Sequence, residues 1–174
     1  EEAEKILDVL HGSLASLLEE KQPESKEDYE ELLRSIDPLV ALLAQTHKQS
    51  LTAYVYLDPF LFDTPLDIYY ADQTGDGLVA RQARVPLSYY EEGPTKEDAK
   101  SWWFDPMTTG QLTWTLPYDW TLDNGRVIRF ISHTAPVAYE SQWIGIVGTD
   151  INYDYLAKKM RTLPVLHKGQ AFLL

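Results

Sequence analysis

Six consecutive residues, Asp72-Gln73-Thr74-Gly75-Asp76-Gly77, put oxygen-bearing side chains at positions 1, 3 and 5 and a glycine at position 6, the opening of a calcium loop. The twelfth position decides. A bidentate Glu is needed there and the chain has Ala83, so a tight hairpin turn with Gly75 or Gly77 at positive φ is expected instead. The histidines, at 11, 47, 133 and 167, show no HxxxH or HExxH spacing, and no cysteine is present to act as nucleophile, metal ligand or disulfide partner. GxSxG, GxxxxGK[ST] and strand-borne GxGxxG motifs are absent. Ser132 and His133 are neighbours on an expected strand, where successive side chains point to opposite faces, so they cannot pair as nucleophile and base. The residues therefore predict no metal, no cofactor and no catalytic group.

A chain of 174 residues fits one domain with an added helical arm, large enough to bury a core without staples. The net charge of −12 has the wrong sign for a surface that neutralises phosphates, which excludes nucleic acid and anionic membrane as partners. Residues 1–34 hold eleven acidic and four basic side chains and so supply most of that charge. Nearly all the aromatic residues follow residue 50, as a core or a ligand-lining set would require. The longest apolar run, Leu39 to Ala44, is far shorter than the roughly 20 residues of a membrane-spanning helix. The start at Glu1-Glu2-Ala3-Glu4 and the apolar end Gly169–Leu174 suggest a piece of a longer parent.

Elements that could position a site follow from periodicity. Ala3, Leu7, Leu10, Leu14 and Leu17 recur at spacings of 4 and 3, which predicts a helix over 2–20. Gln22-Pro23-Glu24 interrupts it, and Ser25, three residues before Asp28, is a capping-box start for a second helix. Tyr29, Leu33, Ile36, Val40, Leu43 and His47 continue the rhythm, with a kink or restart expected at Asp37-Pro38 and Asp37 as a new cap. The stripe reads as simple amphipathic packing or as the face of a dimerising, signal-carrying helix. After Gln49 the period falls to 2. Strands are expected at Leu51–Leu57, Leu66–Ala71, within Leu78–Val85, at Leu112–Leu116, Arg126–Val137 and Gln142–Ile151, the last two joined by a turn at Glu140-Ser141. Tyr89–Lys96 reads as loop, and Lys96–Phe104 and Asn152–Met160 as short helices. The order implies an α+β fold, a long N-terminal helical arm followed by an antiparallel sheet flanked by short helices.

Between residues 100 and 151 the chain presents Lys100-Ser101-Trp102-Trp103, then Leu116-Pro117-Tyr118-Asp119, then Ile131-Ser132-His133-Thr134-Ala135-Pro136-Val137, and finally Ile144-Gly145-Ile146-Val147-Gly148-Thr149-Asp150-Ile151. This succession resembles the Cache family of extracytoplasmic sensor domains, also called PAS-like or PDC sensors, whose pattern is a WY pair, a PY strand end, an iSYxxPV strand and a GvvGxDI strand. Leu51–Asp58 and Gly169–Leu174 extend the resemblance over about residues 50–174.

The resemblance implies the membrane-distal module of a double Cache domain. Residues 1–49 would form the helical arm, 50–162 the PAS-like ligand-binding module, and 163–174 the linker and first strand of a truncated membrane-proximal module. It implies an extracytoplasmic sensor domain of a membrane-anchored receptor with a histidine kinase, diguanylate cyclase or chemoreceptor output, binding an amino acid, amine or carboxylate. The alternative is a ligand-free scaffold that dimerises and transmits force, and a weak homodimer through the N-terminal helices is expected in either case.

Some members of this family bind α-amino acids through a pattern that Trp102, Tyr118 and Asp150 match residue by residue. Thr95, Lys100, Trp103 and Trp120 stand where the pattern has Tyr, Arg, Tyr and Asp. In this reading Lys100 holds a carboxylate as a point charge, without the fork of an arginine. Asp150 and Asp119 accept from an ammonium, and Trp102, Trp103, Tyr118 and Trp120 form the walls. Trp103 could equally be core, and Asp150 could equally cap the helix that begins at Asn152.

Overall fold

The computed structural model describes residues 2–46, 52–74, 76–83, 85–94 and 100–161. Helix α1 (Glu2–Lys21) and helix α2 (Lys26–Thr46) form the arm. The capping box closes as expected: the Asp28 amide donates to Ser25 Oγ (3.2 Å) and the Ser25 amide to the Asp28 carboxylate (2.8 Å). Helix α2 then runs unbroken through Pro38, with Ile36 and Val40 on either side buried. The expected restart does not occur, because one missing intrahelical bond is offset by that burial. Asp37 caps nothing. Its carboxylate instead accepts from Arg81 Nη1 at 2.7 Å.

The strands are β1 (Thr52–Leu57), β2 (Asp67–Ala71), β3 (Ala80–Arg81), β4 (Thr113–Trp114), β5 (Tyr118–Thr121), β6 (Val127–Tyr139) and β7 (Gln142–Asn152). They form one antiparallel sheet in the order β3-β2-β1-β7-β6-β4, with β5 also pairing β6. Glu140 and Ser141 link β6 to β7 with both φ angles positive (47° and 66°), the twist that a two-residue hairpin turn needs. The run expected at Leu112–Leu116 is only the two-residue β4. Pro117, which has no N–H to give to a ladder, separates it from β5. Short helices α3 (Leu87–Glu91), α4 (Ser101–Thr109) and α5 (Tyr153–Arg161) complete the described chain. Helix α3 lies where the sequence suggested loop, fitted between Pro86 at its N-cap and Gly93 at φ 70°.

Period-2 alternation separates the two faces of the sheet. Ala53, Val55, Leu57, Ala135, Val137 and Val147 face α1 and α2 and form one core with Ile6, Leu10, Leu14, Leu18, Leu32 and Val40. The α1 stripe is thus wider than the 4-3 seam, because that helix packs on the sheet and on α2 at once. All of its buried positions are covered within one chain. The opposite face carries Tyr54, Tyr56 and Ile146 under Tyr90, Trp102 and Trp103 of α3 and α4. The boundary expected between 49 and 50, the boundary at 162/163, and the expected strand of 169–174 lie outside the described residues.

Candidate functional site

The aromatic face is built by strand parity. Thr52, Tyr54 and Tyr56 alternate on β1, Ser132 lies on β6, and Gly148 and Asp150 lie on β7, where Ser132 is directly opposite Asp150 and Tyr54 opposite Gly148. Gly148 has a steric duty: an added Cβ would lie 2.2 Å from the Tyr54 ring. Without a side chain at 148, that ring lies flat enough on β7 for its hydroxyl to reach Asp150. Gly145 does the same for the backbone, since a Cβ there would sit 2.2 Å from the Tyr56 carbonyl oxygen. These contacts give a packing reason for both glycines of the Ile144–Ile151 motif.

Asp150, only 5% exposed, receives three hydroxyl hydrogen bonds. Ser132 Oγ donates to Oδ1 at 2.6 Å, Tyr54 OH to Oδ1 at 3.3 Å, and Thr52 Oγ1 to Oδ2 at 2.9 Å. Because the single proton of Ser132 is committed to Asp150, the Tyr118 hydroxyl 2.7 Å away must be the donor to Ser132 Oγ. Burial pushes the Asp150 carboxyl above the usual aspartate range, and the hydroxyl bonds recover only part of that shift. Burial, and then the Asp150 charge, hold the Tyr54 and Tyr118 hydroxyls well above the normal phenol range.

Around this floor lies a cleft of about 580 Å³ walled by Tyr54, Tyr56, Tyr69, Tyr89, Trp102 and Tyr118, with Trp120 at its rim. Trp102 Nε1 donates to Tyr89 OH at 3.1 Å, and its ring lies 5.1 Å from that of Tyr56 and 5.9 Å from that of Tyr54. Of the residues singled out from sequence, Trp102, Tyr118, Asp119, Trp120 and Asp150 line the cleft. Asp119 does so at the surface, gripped by Arg129 Nε (2.7 Å) and Nη2 (3.2 Å), whose hydrogen bonds lower its carboxyl below the usual range. Lys100 does not line it; Nζ donates to Glu92 Oε2 (2.9 Å) and to the Tyr89 carbonyl (2.7 Å). Trp103 points into the core, its ring 5.0 Å from that of Tyr90. The helix after β7 is capped by Asn152, whose Oδ1 accepts from the Tyr155 amide, so Asp150 is not a cap.

Ser132 and His133 do face opposite ways. The His133 ring stacks on Trp114 at 3.7 Å, away from the cleft. Asp72, Gln73, Thr74, Asp76 and Gly77 lie in the connection between β2 and β3, with Gly77 at φ 87° and its amide donating to Asp72, while Gly75 lies outside the described residues. Among the described residues no cluster of three or more His, Asp or Glu side chains is placed to hold a metal. The sequence reading did not single out Tyr54, Tyr56, Tyr69, Gln73 and Tyr89, which line the cleft, or Thr52 and Ser132, which hold Asp150 beneath it. The signal for Thr52, Tyr54, Tyr56 and Ser132 was the strand alternation, which puts them on the same face as Asp150.

The family model for the methyl-accepting chemotaxis protein-like first PDC sensor domain matches residues 36–158, well over half of the chain. The chain belongs to that family. Its kind is thus a sensor domain rather than a catalytic one. No curated protein sequence matches it. Among solved structures, the extracellular domain of mmHK1S-Z2, from a protein assigned as a histidine kinase, is 18% identical with a TM-score of 0.61, over 93% of this chain and 58% of that one. The periplasmic sensory domain of the Campylobacter jejuni chemoreceptor Tlp1 is 16% identical with a TM-score of 0.55, over 88% of this chain and 55% of the other. The sensory domain of C. jejuni chemoreceptor Tlp3 with isoleucine bound is 14% identical with a TM-score of 0.53, over 92% and 62%. At these identities the likeness is one of fold. This PDC sensor domain spans under two thirds of the solved domains it matches.

Proposed function

We propose that the chain is the extracytoplasmic ligand-binding module of a membrane-anchored signalling receptor, and that its ligand presents an ammonium group to Asp150. The observation that carries this reading is the direction of the hydrogen bonds at the cleft floor. Tyr54 and Tyr118 have both spent their protons, on Asp150 and on Ser132, so their remaining lone pairs can only accept. Together with Asp150 they form a donor-hungry floor, which suits a primary ammonium with its three N–H donors. The described lining carries the carboxylates of Asp119, Asp123 and Asp150 and no Lys, Arg or His. Aromatic walls add cation–π attraction.

An amine or an amino acid fits this arrangement. A carboxylate without an amine would require Lys100 to leave Glu92. A solved relative holding isoleucine supports the same class. The membrane anchor is part of this proposal; among the described residues no helix is long and apolar enough to cross a membrane. A homodimer through the arm would have to use outward positions such as Val9 and Leu42, 44% and 54% exposed, since the main stripe is already buried. A weak contact strengthened by salt is the form expected of two acidic helices.

A thermal-shift screen of amines, amino acids and simple carboxylates tests the reading, because a ligand raises stability by RT ln(1 + [L]/Kd). Upward shifts with amine-bearing compounds are expected. Shifts confined to carboxylates that lack an amine would overturn it, and no shift with any compound would favour a scaffold without ligand.

A further inference from the structure

Beside the cleft, on the same face of the sheet, lies a second recess of about 240 Å³. Thr52 lines it while holding Asp150 through Oγ1, so the recess adjoins the anchor. Its other walls include Leu122, Ile128 and Asn152, with Arg126 toward solvent. Leu122 and Ile128 are 3% and 8% exposed, which makes a built apolar wall rather than a surface dimple.

Three residues line both spaces: Tyr69, Phe130 and Gln73. Two of them are fixed. Phe130 is 4% exposed and packs edge-to-face on Tyr118, and Tyr69 is held within β2 between the rings of Tyr54 (6.1 Å) and Tyr56 (6.3 Å). Gln73 differs, because it stands in the loop after β2 and among the described residues its side chain makes two hydrogen bonds. Its Oε1 accepts from Trp120 Nε1 at 3.1 Å, and its Nε2 donates to Tyr69 OH at 3.5 Å. The loop itself is tethered independently, since the Gln73 carbonyl accepts from the Asp123 amide at 3.0 Å.

We propose that the Gln73 side chain is the partition that sets ligand length, and that the recess behind it is a subsite for the far end of a longer amine. This rests on the ammonium reading above. Removing the side chain joins two spaces without cutting the backbone tether. The chemistry of the walls suits an aliphatic chain running past Leu122 and Ile128, with a polar tip near Asn152 and Arg126. Each methylene that enters such a wall tightens binding roughly fourfold.

Calorimetric titration of the wild type, Gln73→Ala and Trp120→Phe with straight-chain amines from ethylamine to octylamine tests the proposal. In the wild type, affinity should stop rising at an intermediate length. Gln73→Ala should carry the rise several carbons further, giving the longest amines at least about tenfold tighter binding while the shortest change little. Trp120→Phe frees Gln73 without removing it and should shift the limit in the same direction by less. The same length limit in Gln73→Ala and the wild type, with short amines still binding, would overturn the partition and leave the ammonium reading standing. A uniform loss at every length would make Gln73 merely structural and overturn it too. No binding of any amine by any variant would sink both.

Discussion

Asp150→Asn separates the two roles of the buried carboxylate. Its pKa is raised on folding by burial, so the native state holds its proton more tightly than the unfolded chain. The sign follows by linkage: a raised native pKa favours the fold at low pH, and that contribution is lost as pH rises from the unfolded value of 3.8 through the higher folded value. Above that window the charge on buried Asp150 disfavours the empty domain, and the ammonium proposed above would offset it. Asp150→Asn removes the titration while keeping the shape. Its stability relative to wild type should climb with pH across that window and level off above it. The same change removes the charge-assisted bond to the ligand, worth about 1.5–3 kcal/mol, so amine affinity should fall roughly 10- to 150-fold. Urea melts at stepped pH, paired with calorimetry on an amine that the thermal screen identifies, give both numbers. A stability difference that is flat in pH together with affinity within twofold of wild type would refute the reasoning.

Gly148→Ala should push the Tyr54 ring off β7, costing about 1–3 kcal/mol by overpacking and weakening amine binding because the Tyr54–Asp150 bond is lost; a denaturant melt and a titration check the pair of effects. His133 is buried beneath Trp114, and burial lowers its pKa below the ordinary 6.5, so the stability it confers is present above that value and is lost as pH falls through the lowered one. His133→Phe keeps the stacking but should flatten that acid limb in melts taken between pH 4 and 7. Leu14→Ala, at a fully buried position between the sheet and α2, should cost about 2–5 kcal/mol and lower the melting temperature without changing amine affinity.

Much of the fold was legible in the sequence because it rests on local periodicity. The 4-3 spacing of Leu7, Leu10 and Leu14 marks α1, the Ser25–Asp28 pair marks the start of α2, and the alternation along Thr52–Leu57 sorts β1 into a helix side and an aromatic side. The same local rules misplace α3, where an isolated turn of helix between Pro86 and Gly93 has too few residues to show a period. They also fail at Pro38, where burial of the flanking residues outweighs the break that proline favours.

For the candidate site, the sequence marked the acid and the sheet face it lies on. Asp150, Tyr118 and Trp102 stand out by type and order, and strand parity alone puts Asp150 on the side opposite His133. Only the tertiary structure decided what surrounds them, because those partners are distant in sequence. Thr52 and Tyr54 reach Asp150 from nearly a hundred residues away, and Ser132, which Tyr118 contacts, faces it across the β6–β7 ladder. Trp102 and Trp103 are adjacent letters, yet the roughly 100° between successive helical residues sends one to the cleft and the other to the core. Lys100 carries the charge that suits a carboxylate, but Glu92 on the neighbouring turn lies close enough to take it. Gln73 has no mark in the sequence at all, since a partition exists only where two hollows meet across one flexible side chain.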